Sequence, residues 1–583
     1  MNNSDIAAKL KETGELMQLA GENRFRAAAF DRAARTIENL SEPVSHYLEE
    51  GNLTSLDGIG ASIAEDIEAL CNTGTAPILE ELKKRVPKGL VRWLDISGLG
   101  PKNAAKIHKE LGISTLEELR NACESGSVEA LSGLGKKSAE KILSSIRWLE
   151  EHGSRNRLDR ALGAANSMKQ FVQEMDGVRE CEVAGSLRRW RETIGDIDIL
   201  VSAGDADREG ILEKFARHSE VDEVLGRGET KCSVRVKSGS QIDLRVVRER
   251  EFAAALLYFT GSKEHNVRLR QLARQKGMLL NEYGLFTRDE EGEPAERQEV
   301  KGEEGIYQKL DMLWVPPELR EDLGEVEIFK CESLSLIESD EVKGVIHAHS
   351  NWSDGRESIE SMARACMERG YEYLGLSDHS RSAVYANGLT EDRVRKQWEE
   401  VDRMNEMFEA EGNTFKIFRG IESDILPDGS LDYSDELLEG FDFVIASVHS
   451  SLDMPEKKMT NRILKAIEHP ATRILGHPTG RLLLRRKESQ VEMSRLIEAA
   501  AANQIAIEIN ANPNRLDLDW RYGEKAREAG MMTSINPDAH NAEGIDDIQF
   551  GVAMARKARF GRDRVINTFS VEKISSWFRR SEQ

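Results

Sequence analysis

From residue 342 onward the chain repeats one arrangement about seven times: a short apolar run, a metal-ligand-type residue at its end, then a helical stretch. Residues 342–346 lead to His347-Ala348-His349 and then Asp354, 373–377 to Asp378-His379, 418–421 to Glu422, and 441–448 to His449. Residues 473–476 lead to His477, 505–509 run into Asn510 and Asn512, and 533–536 precede Asp538 and His540. Helical stretches such as 358–369 and 491–503 lie between them. Strand, ligand, helix in alternation predicts a β/α barrel with its chemistry at the C-terminal strand ends. A lone histidine at a strand end is ordinarily structural. A His, Asp or Glu at the end of nearly every strand is more than packing requires. Mixed imidazole and carboxylate donors suit Zn²⁺, Mn²⁺ or Fe, and this number of them predicts two or three ions.

A second constraint lies upstream, in the stretch GSLRRWRETIGDID from Gly185 to Asp198. Its acids, Asp196 and Asp198, stand two apart within the apolar run 194–201, so on a strand they share a face while Ile197 and Ile199 take the other. Two adjacent carboxylates repel unless a cation joins them, and oxygen ligands suit Mg²⁺ or Mn²⁺. Gly185, Ser186, Arg188 and Arg189 add a tight turn, a hydroxyl and two guanidinium groups, which suit a triphosphate. A later run, 240–247, places Asp243 among apolar residues. With it the site has three carboxylates, enough to hold two cations about 4 Å apart for transfer of a phosphoryl group.

The first 150 residues read as short helices, with Leu10, Leu16, Met17, Leu19 and Ala20 at helical spacing. A Gly-x-Gly unit opens a helical pattern three times, at Gly58/Gly60, Gly98/Gly100 and Gly133/Gly135, and Lys102, Lys106, Lys136 and Lys137 follow two of them. Such glycines let a nucleic-acid backbone approach the free N–H groups of a helix start. Contacts of that kind read phosphates rather than sequence.

Composition sets the remaining bounds. A chain of 583 residues exceeds one core. No apolar run approaches a membrane span, and 1–16 lack a signal-peptide pattern. Six cysteines form no CxxC pair, which fits a reducing cytoplasm. The net charge of −22 is unevenly spread: residues 226–276 hold 12 Lys and Arg against 5 Asp and Glu, whereas 287–341 hold 6 against 18. A basic segment is thus free for phosphates. The acidic stretch, with Pro316-Pro317, reads as a linker whose acids form a solvated face. Between them, Tyr258 and Phe259 before Thr260-Gly261-Ser262 read on composition as a helix end packed by two core aromatics, although a ring beside a flexible backbone also suits stacking on a nucleotide.

Taken together, GSxRRxxETxGDID, the later Ile-Asp-Leu run, YFTGS with Asn266 and Arg270, and KGxxLNEYG resemble the catalytic core of a family X DNA polymerase over residues 1–320. HxH…SDG, SDH, GIE, two lone strand-end histidines and DAH resemble a PHP (polymerase and histidinol phosphatase) domain over about 342–575. The resemblance implies metal ligation and catalysis by Asp196, Asp198 and Asp243. It implies triphosphate contacts from Ser186, Arg189 and Gly195, and a nucleotide pocket lined by Tyr258, Phe259, Gly261 and Asn266, with Arg270 on the templating side. It implies DNA-backbone contacts at Gly58, Gly60, Gly98, Gly100, Lys102, Gly133 and Gly135. In the C-terminal part the implied ligands are His347, His349, Asp354, His379, Glu422, His449, His477, Asp538 and His540, with Asp378 either a ligand or an outer partner. Two departures stand out. Lys263 occupies a place where vertebrate members carry an acid, and Ser62 and Asp66 stand where a Schiff-base lyase would need basic residues.

The expected fold is multidomain α and α/β. It comprises N-terminal all-α helix-hairpin-helix domains (1–86 and 87–150), an α/β palm (151–256), a thumb-like domain (257–320), an acidic linker (321–341) and a distorted PHP-type β/α barrel (342–583). The expected function is gap-filling DNA repair synthesis with Mg²⁺ or Mn²⁺ at the polymerase site. The barrel would add a metal-dependent 3′–5′ exonuclease, with abasic-site cleavage or 3′-phosphate removal as related activities. The expected partners are gapped or nicked DNA and deoxynucleoside triphosphates, met by a cytoplasmic monomer without membrane attachment. The alternatives are a phosphoesterase with a non-catalytic polymerase-like half, or a polymerase whose barrel is purely structural.

Overall fold

A computed structural model describes the chain except residues 1–2, 39, 41–43, 57, 97–98, 153–154 and 580–583. It divides into two compact units, Met1–Gly153 (with Leu484–Arg486) and Ser154–Leu483 with Lys487–Gln583. None of the described helices is long and apolar enough to cross a membrane.

The first unit is helical. Helices Asn3–Leu19, Arg24–Glu38, Ala61–Thr73, Pro77–Arg85, Pro101–Leu111, Leu116–Glu124 and Lys136–His152 account for most of it. Their apolar stripes converge on one core that runs from Ile6 and Leu10 through Phe30, Ile67 and Trp93 to Ile107 and Ile146. The segments expected as separate domains, 1–86 and 87–150, therefore share buried apolar surface. Gly60 and Gly100 cap the helices that follow them, and Gly133 takes a left-handed φ of 79° just before Lys136–His152. Gly98 lies outside the described residues.

The second unit holds two sheets around which its chemistry is built. The first is five-stranded: β1 (Val178–Val183), β2 (Asp196–Ala203), β3 (Val221–Arg227), β4 (Lys231–Val236) and β5 (Gln241–Val247), in the order β1-β2-β5-β4-β3. Only β2 and β5 are parallel, and their register sets Asp198 opposite Asp243. Ile197, Ile199, Ile242 and Leu244 are buried with the helix Leu158–Gln173 in one core. Helices Phe252–Thr260 and Lys263–Gln275, a hairpin sheet of β6 (Met278–Asn281), β7 (Gly284–Arg288) and β8 (Pro294–Arg297), and helix Gly302–Lys309 follow around Leu269, Leu285 and Tyr307.

The solvated-face reading of residues 287–341 holds for most of the acids there but fails for three. Glu303, Glu318 and Glu325 are buried, and Arg320 is completely so. Glu303 takes Arg320 at 2.7 Å and Arg188 at 2.8 Å, Glu318 takes Arg556 at 2.6 Å, and Glu325 takes His265 at 2.6 Å. Glu303 and Glu318 have arginine partners, Glu325 has a hydrogen-bonded histidine whose charge burial disfavours, and a partnered carboxylate is one that a protein can bury.

The second sheet has seven parallel strands in sequence order: β9 (Gly344–Ala348), β10 (Tyr373–Leu376), β11 (Lys416–Asp424), β12 (Phe443–Ser447), β13 (Thr472–Leu475), β14 (Ala506–Asn510) and β15 (Met532–Asn536). Its two edges approach where Ala348 bridges to Ala539, which nearly closes a barrel. The strands are almost wholly buried, as continuous apolar runs require when helices cover a parallel sheet. The first strand begins and ends two residues later than the sequence pattern predicts, so His347 lies within it.

Candidate active sites

The first site is assembled by strand register. Asp196 and Asp198 leave β2 on the same side, Asp243 projects from β5, and their carboxylate oxygens lie within 4.8 Å of one another. Asp196 is exposed, Asp198 partly buried and Asp243 buried. Burial, followed by the charges of Asp196 and Asp243, pushes the Asp198 carboxyl up to about 7. Asp243 moves the other way. Burial opposes its charge, but hydrogen bonds from Lys231, Ser233 and Gln241 outweigh that and hold it below the usual carboxylate range. The Lys231 ammonium stands 2.5 Å from Asp243.

The glycine-rich turn reaches this site as the motif predicts. Gly185 has φ 63°, and a Cβ there would fall 2.3 Å from Asp198 Oδ2, so only glycine lets the turn close on the carboxylate. Ala184 N–H also donates to the Asp198 carbonyl at 2.8 Å. The two arginines are not free, however. Arg188 is committed to Glu303 and to Thr260 Oγ1. Arg189 donates to the Thr260 carbonyl and, at 3.3 Å, to Glu321. Gly261 lies against Arg189, whose Nη1 would be 3.0 Å from an added Cβ.

Of the two core aromatics that composition favours, Phe259 is half-buried against Ala184, Leu200 and Phe252, whereas Tyr258 is not a core residue. Tyr258 is 36% exposed, and Phe259 carries the Arg245 guanidinium 4.3 Å above its ring. Asn266 Nδ2 donates to the Tyr258 carbonyl at 2.7 Å and so fixes the helix end. Arg270 turns back along its own helix to the Asn266 carbonyl. Ser186 lies in the short helical turn Gly185–Arg188, and Gly195 immediately before β2, with Arg155 Nη1 3.4 Å from an added Cβ.

The second site fills the C-terminal mouth of the barrel. Three overlapping donor groups form there: His347, His349 and Glu422; His379, Glu422 and His449; and His349, Asp354, His379 and His540. Glu422 is central. Its oxygens lie 2.9 Å from His477 Nε2, 3.2 Å from His449 Nε2, 2.9 Å from His379 Nδ1 and 3.5 Å from His347 Nε2. Asp538 stands 3.1 Å from His349 Nε2, and Asp354 3.4 Å from His540 Nε2. All nine predicted ligands are thus brought together. Among the described residues Asp378 joins none of these donor groups and accepts no hydrogen bond from a histidine. It accepts from Ser350 N–H and Oγ, Ser353 and Gln397, and so ties down the loop before Asp354.

Two acids that the sequence reading missed orient this cluster. Glu508 accepts from His347 Nδ1 at 2.6 Å and from the His477 backbone N–H at 2.7 Å, while Asp424 stands 2.5 Å from His449 Nδ1. Each anchors Nδ1 of its ring and so turns Nε2 toward Glu422. Their available signal is an acid inside a buried strand, Glu508 in β14 and Asp424 two residues after Glu422 in β11. Arg515 adds a cation, with Nε 3.6 Å from Asp538 and a buried Nη1 that makes no hydrogen bond.

The charges are tightly interlocked. Burial opposes the charges of Glu422 and Asp538, but the imidazoles hold both well below the carboxylate range. Burial alone would lower His449 and His540; Glu422 and Asp424 raise the first to about 10, and Asp354 and Asp538 raise the second to about 9. His349, buried beside His540 and His379, is driven down to about 3. The donors fit cations. His347 Nε2, His349 Nδ1 and Glu422 Oε2 are buried without a hydrogen-bond partner, a costly state that bound ions would relieve.

Comparison with known proteins bears on both sites. Family models match a helix-hairpin-helix domain at residues 1–76, a SAM-like helix-hairpin-helix tandem at 92–147, the DNA polymerase beta palm at 160–232, the DNA polymerase beta thumb at 255–321 and a PHP domain at 346–512. DNA polymerase/3′-5′ exonuclease PolX of Bacillus subtilis is 39% identical over 584 residues, covering 100% of both chains. The chain belongs to the family X DNA polymerases that carry a C-terminal PHP domain. Among family X relatives without full-length similarity, DNA polymerase lambda of Rattus norvegicus is 28% identical across 48% of this chain and 49% of its own. The Arabidopsis thaliana DNA polymerase lambda is 27% identical across 52% and 58%. The palm match ends before Asp243 and the PHP match before Asp538 and His540. For this family X chain it is the folded geometry that joins those three to their partners.

Proposed function

We propose that this chain is a cytoplasmic DNA repair enzyme that extends DNA 3′ ends from deoxynucleoside triphosphates at one site and removes 3′-terminal nucleotides at the other. The observation that carries this reading is the convergence of two complete donor sets, Asp196/Asp198/Asp243 and the nine-residue barrel cluster, in a chain that aligns from end to end with a polymerase/3′-5′ exonuclease.

Asp196, Asp198 and Asp243 would hold Mg²⁺ or Mn²⁺, and the barrel residues two or three Zn²⁺, Mn²⁺ or Fe ions. When bound, such ions neutralise charge on the transferring phosphoryl group and acidify the attacking hydroxyl or water. The chain's own residues do the positioning. The Gly185 turn closes on Asp198, and Ser186, next in the turn, would contact the triphosphate. Arg189 would have to leave Thr260 and Glu321 to reach it. Tyr258, Phe259 and Asn266 would flank the nucleotide, with Gly195 behind its phosphates and Arg270 toward the template. In the barrel, Glu508 and Asp424 hold His347 and His449 as Nε2 donors, and Arg515 offers its free Nη1 to a phosphate.

DNA itself would be held partly by the first unit. A Cβ at Gly60, Gly100, Gly133 or Gly135 would meet nothing within 4 Å. Internal packing therefore does not require glycine at these positions; the left-handed φ of 79° already calls for it at Gly133, and at Gly60, Gly100 and Gly135 close approach of a phosphate backbone would. Gly58 and Lys102 belong to the same contacts. Abasic-site cleavage and 3′-phosphate removal are related reactions of the same barrel chemistry.

The test is a labelled one-nucleotide gap incubated with and without nucleotides. Wild type should extend with nucleotides and trim without them. Asp198→Ala should trim only, and His349→Ala should extend only. An Asp198→Ala enzyme that still extends, or a His349→Ala enzyme that still trims, would overturn the corresponding assignment.

A further inference from the structure

Among the described residues from 342 to 579, Val384 and Tyr385 are the two large hydrophobic side chains that stand exposed, at 81% and 72%. They form a single turn, Val384–Ala386, beside the barrel cluster. The Tyr385 ring centre is 6.2 Å from that of His379 and 6.4 Å from that of His449, at 59° and 71° to them. Neither imidazole stacks on its face.

The turn is held stiffly. Ala383 and Ala386 are buried, Ser382 donates to Asp432 and Asp424 at 2.6 and 2.8 Å, and Leu389 N–H donates to the His379 carbonyl at 2.8 Å. Asn387, at φ 53°, donates to the carbonyls of Trp352 and Ser353 in the loop that carries Asp354. Gly388 is packed so closely that a Cβ would sit 1.9 Å from the Ser380 carbonyl. A rigid mount that presents an aromatic face to solvent at the rim of a metal-ligand cluster is the arrangement used to stack a base. Scattered surface aromatics need no such mount.

We propose that Val384 and Tyr385 form the platform on which the terminal nucleobase of a single-stranded 3′ end stacks while its phosphodiester lies among the barrel ligands and Arg515. The proposal deepens the nuclease reading and rests on it. A base within duplex DNA has its faces covered by its neighbours, so the platform selects unpaired ends. Stacking also tolerates any base, because each offers a π-face, and this suits trimming without sequence preference. Tyr385 is then a specificity-determining residue, not one of the reacting groups.

The experiment uses the full chain with Mn²⁺ and two single-stranded oligonucleotides, one ending in a normal 3′ nucleotide and one in an abasic tetrahydrofuran unit. Wild type should favour the base-bearing end by about tenfold in kcat/KM, the scale of one base–aromatic stack. Tyr385→Ala should bring that preference close to unity, and Tyr385→Phe should keep it. In parallel, a 3′-terminal 2-aminopurine should lose fluorescence on binding to wild type and to Tyr385→Phe in EDTA, but not to Tyr385→Ala. A preference or a quench that survives in Tyr385→Ala overturns the platform. Failure of wild type to cut either oligonucleotide would instead sink the nuclease reading, and the quenching experiment would still decide whether a base stacks here.

Discussion

Asp198→Asn should make the metal-free protein more stable while abolishing extension. Strand register forces Asp198 and Asp243 together, and the backbone offers neither a way out. The folded Asp198 carboxyl sits at about 7, against 3.8 for an unhindered aspartate, chiefly through burial and then through Asp196 and Asp243. A carboxylate whose folded value is raised is most favourable to folding in acid, and that advantage is lost as pH rises through about 7. A gap of roughly three units at 1.36 kcal/mol each gives a penalty of about 4 kcal/mol at pH 8, falling to about 1.5 kcal/mol near pH 5. Asparagine has the same shape and never carries the charge. In EDTA at pH 8 the variant should therefore be stabilised by up to about 4 kcal/mol, with the difference shrinking on acidification. A chain of two units does not unfold in one step, so hydrogen exchange across Asp196–Ala203 and Gln241–Val247 is a better measure than a single melting temperature. Adding Mn²⁺ should protect the wild type selectively, by about 2.7 kcal/mol at a hundred times Kd, and narrow or reverse the order. Equal protection of both proteins in EDTA at pH 8, or a difference that does not depend on pH, would refute the reasoning.

Three further outcomes follow from other parts of the molecule. Glu192 is buried between Arg521 at 2.7 Å, Trp520 Nε1 at 2.9 Å and Arg191 at 3.5 Å; Glu192→Ala should destabilise the contact between the five-stranded sheet and the barrel by about 3–5 kcal/mol, seen as faster hydrogen exchange around residues 188–194 and 515–525. Burial opposes the Glu192 charge, but Arg521 and Arg191 hold the carboxyl down to about 2, so its contribution is intact at neutral pH and fades only as pH falls from about 4.5 toward 2; a loss already complete at pH 6 would contradict this. Because His449 and His540 are protonated at pH 7.5 without metal, loading the barrel should release protons, and the calorimetric heat should change with the ionisation enthalpy of the buffer; heats that are independent of buffer would contradict it. Helix Ala61–Thr73 carries no lysine and buries Asp66, so borohydride should trap no DNA adduct on it with an incised abasic substrate, and a trapped peptide from this helix would reverse that expectation.

What the sequence disclosed divides along a physical line. Asp196, Asp198 and the barrel histidines were legible because strand periodicity ties residue spacing to a shared face or a shared strand end. Glu508 was not, because its partner His347 is 161 positions upstream and one acid in an apolar run has no periodicity of its own. Asp378 adjoins His379 in sequence just past the end of β10, but its carboxylate turns to Ser350, Ser353 and Gln397, and adjacency in a loop does not set the direction of a side chain. The acids at 303, 318 and 325 were read as solvated because charge counts record composition and not pairing. Whether an acid is buried depends on whether a distant arginine or histidine meets it, and only the folded chain supplies that.

The same pairing explains why the barrel is more than an appendage to the polymerase half. Helix Ile548–Lys557 ends in a lysine whose side chain is completely buried. Its ammonium donates to the carbonyls of Arg189 and Glu318 at 2.8 and 3.0 Å and to Glu321 at 3.0 Å. Glu321 in turn holds Arg189 and Arg191. Burying a lone ammonium costs several kcal/mol, and burial does lower the Lys557 value, to about 8, despite Glu321. Such a group is tolerated only where its acceptors are fixed, and here all three belong to the end of the Gly185 turn or the end of the thumb. The barrel thereby sets the backbone position of Arg189, the residue assigned to the triphosphate, while Glu321 determines how firmly its guanidinium is held away from one. A change at Lys557 would be felt first at that arginine, before it disturbed either set of metal ligands.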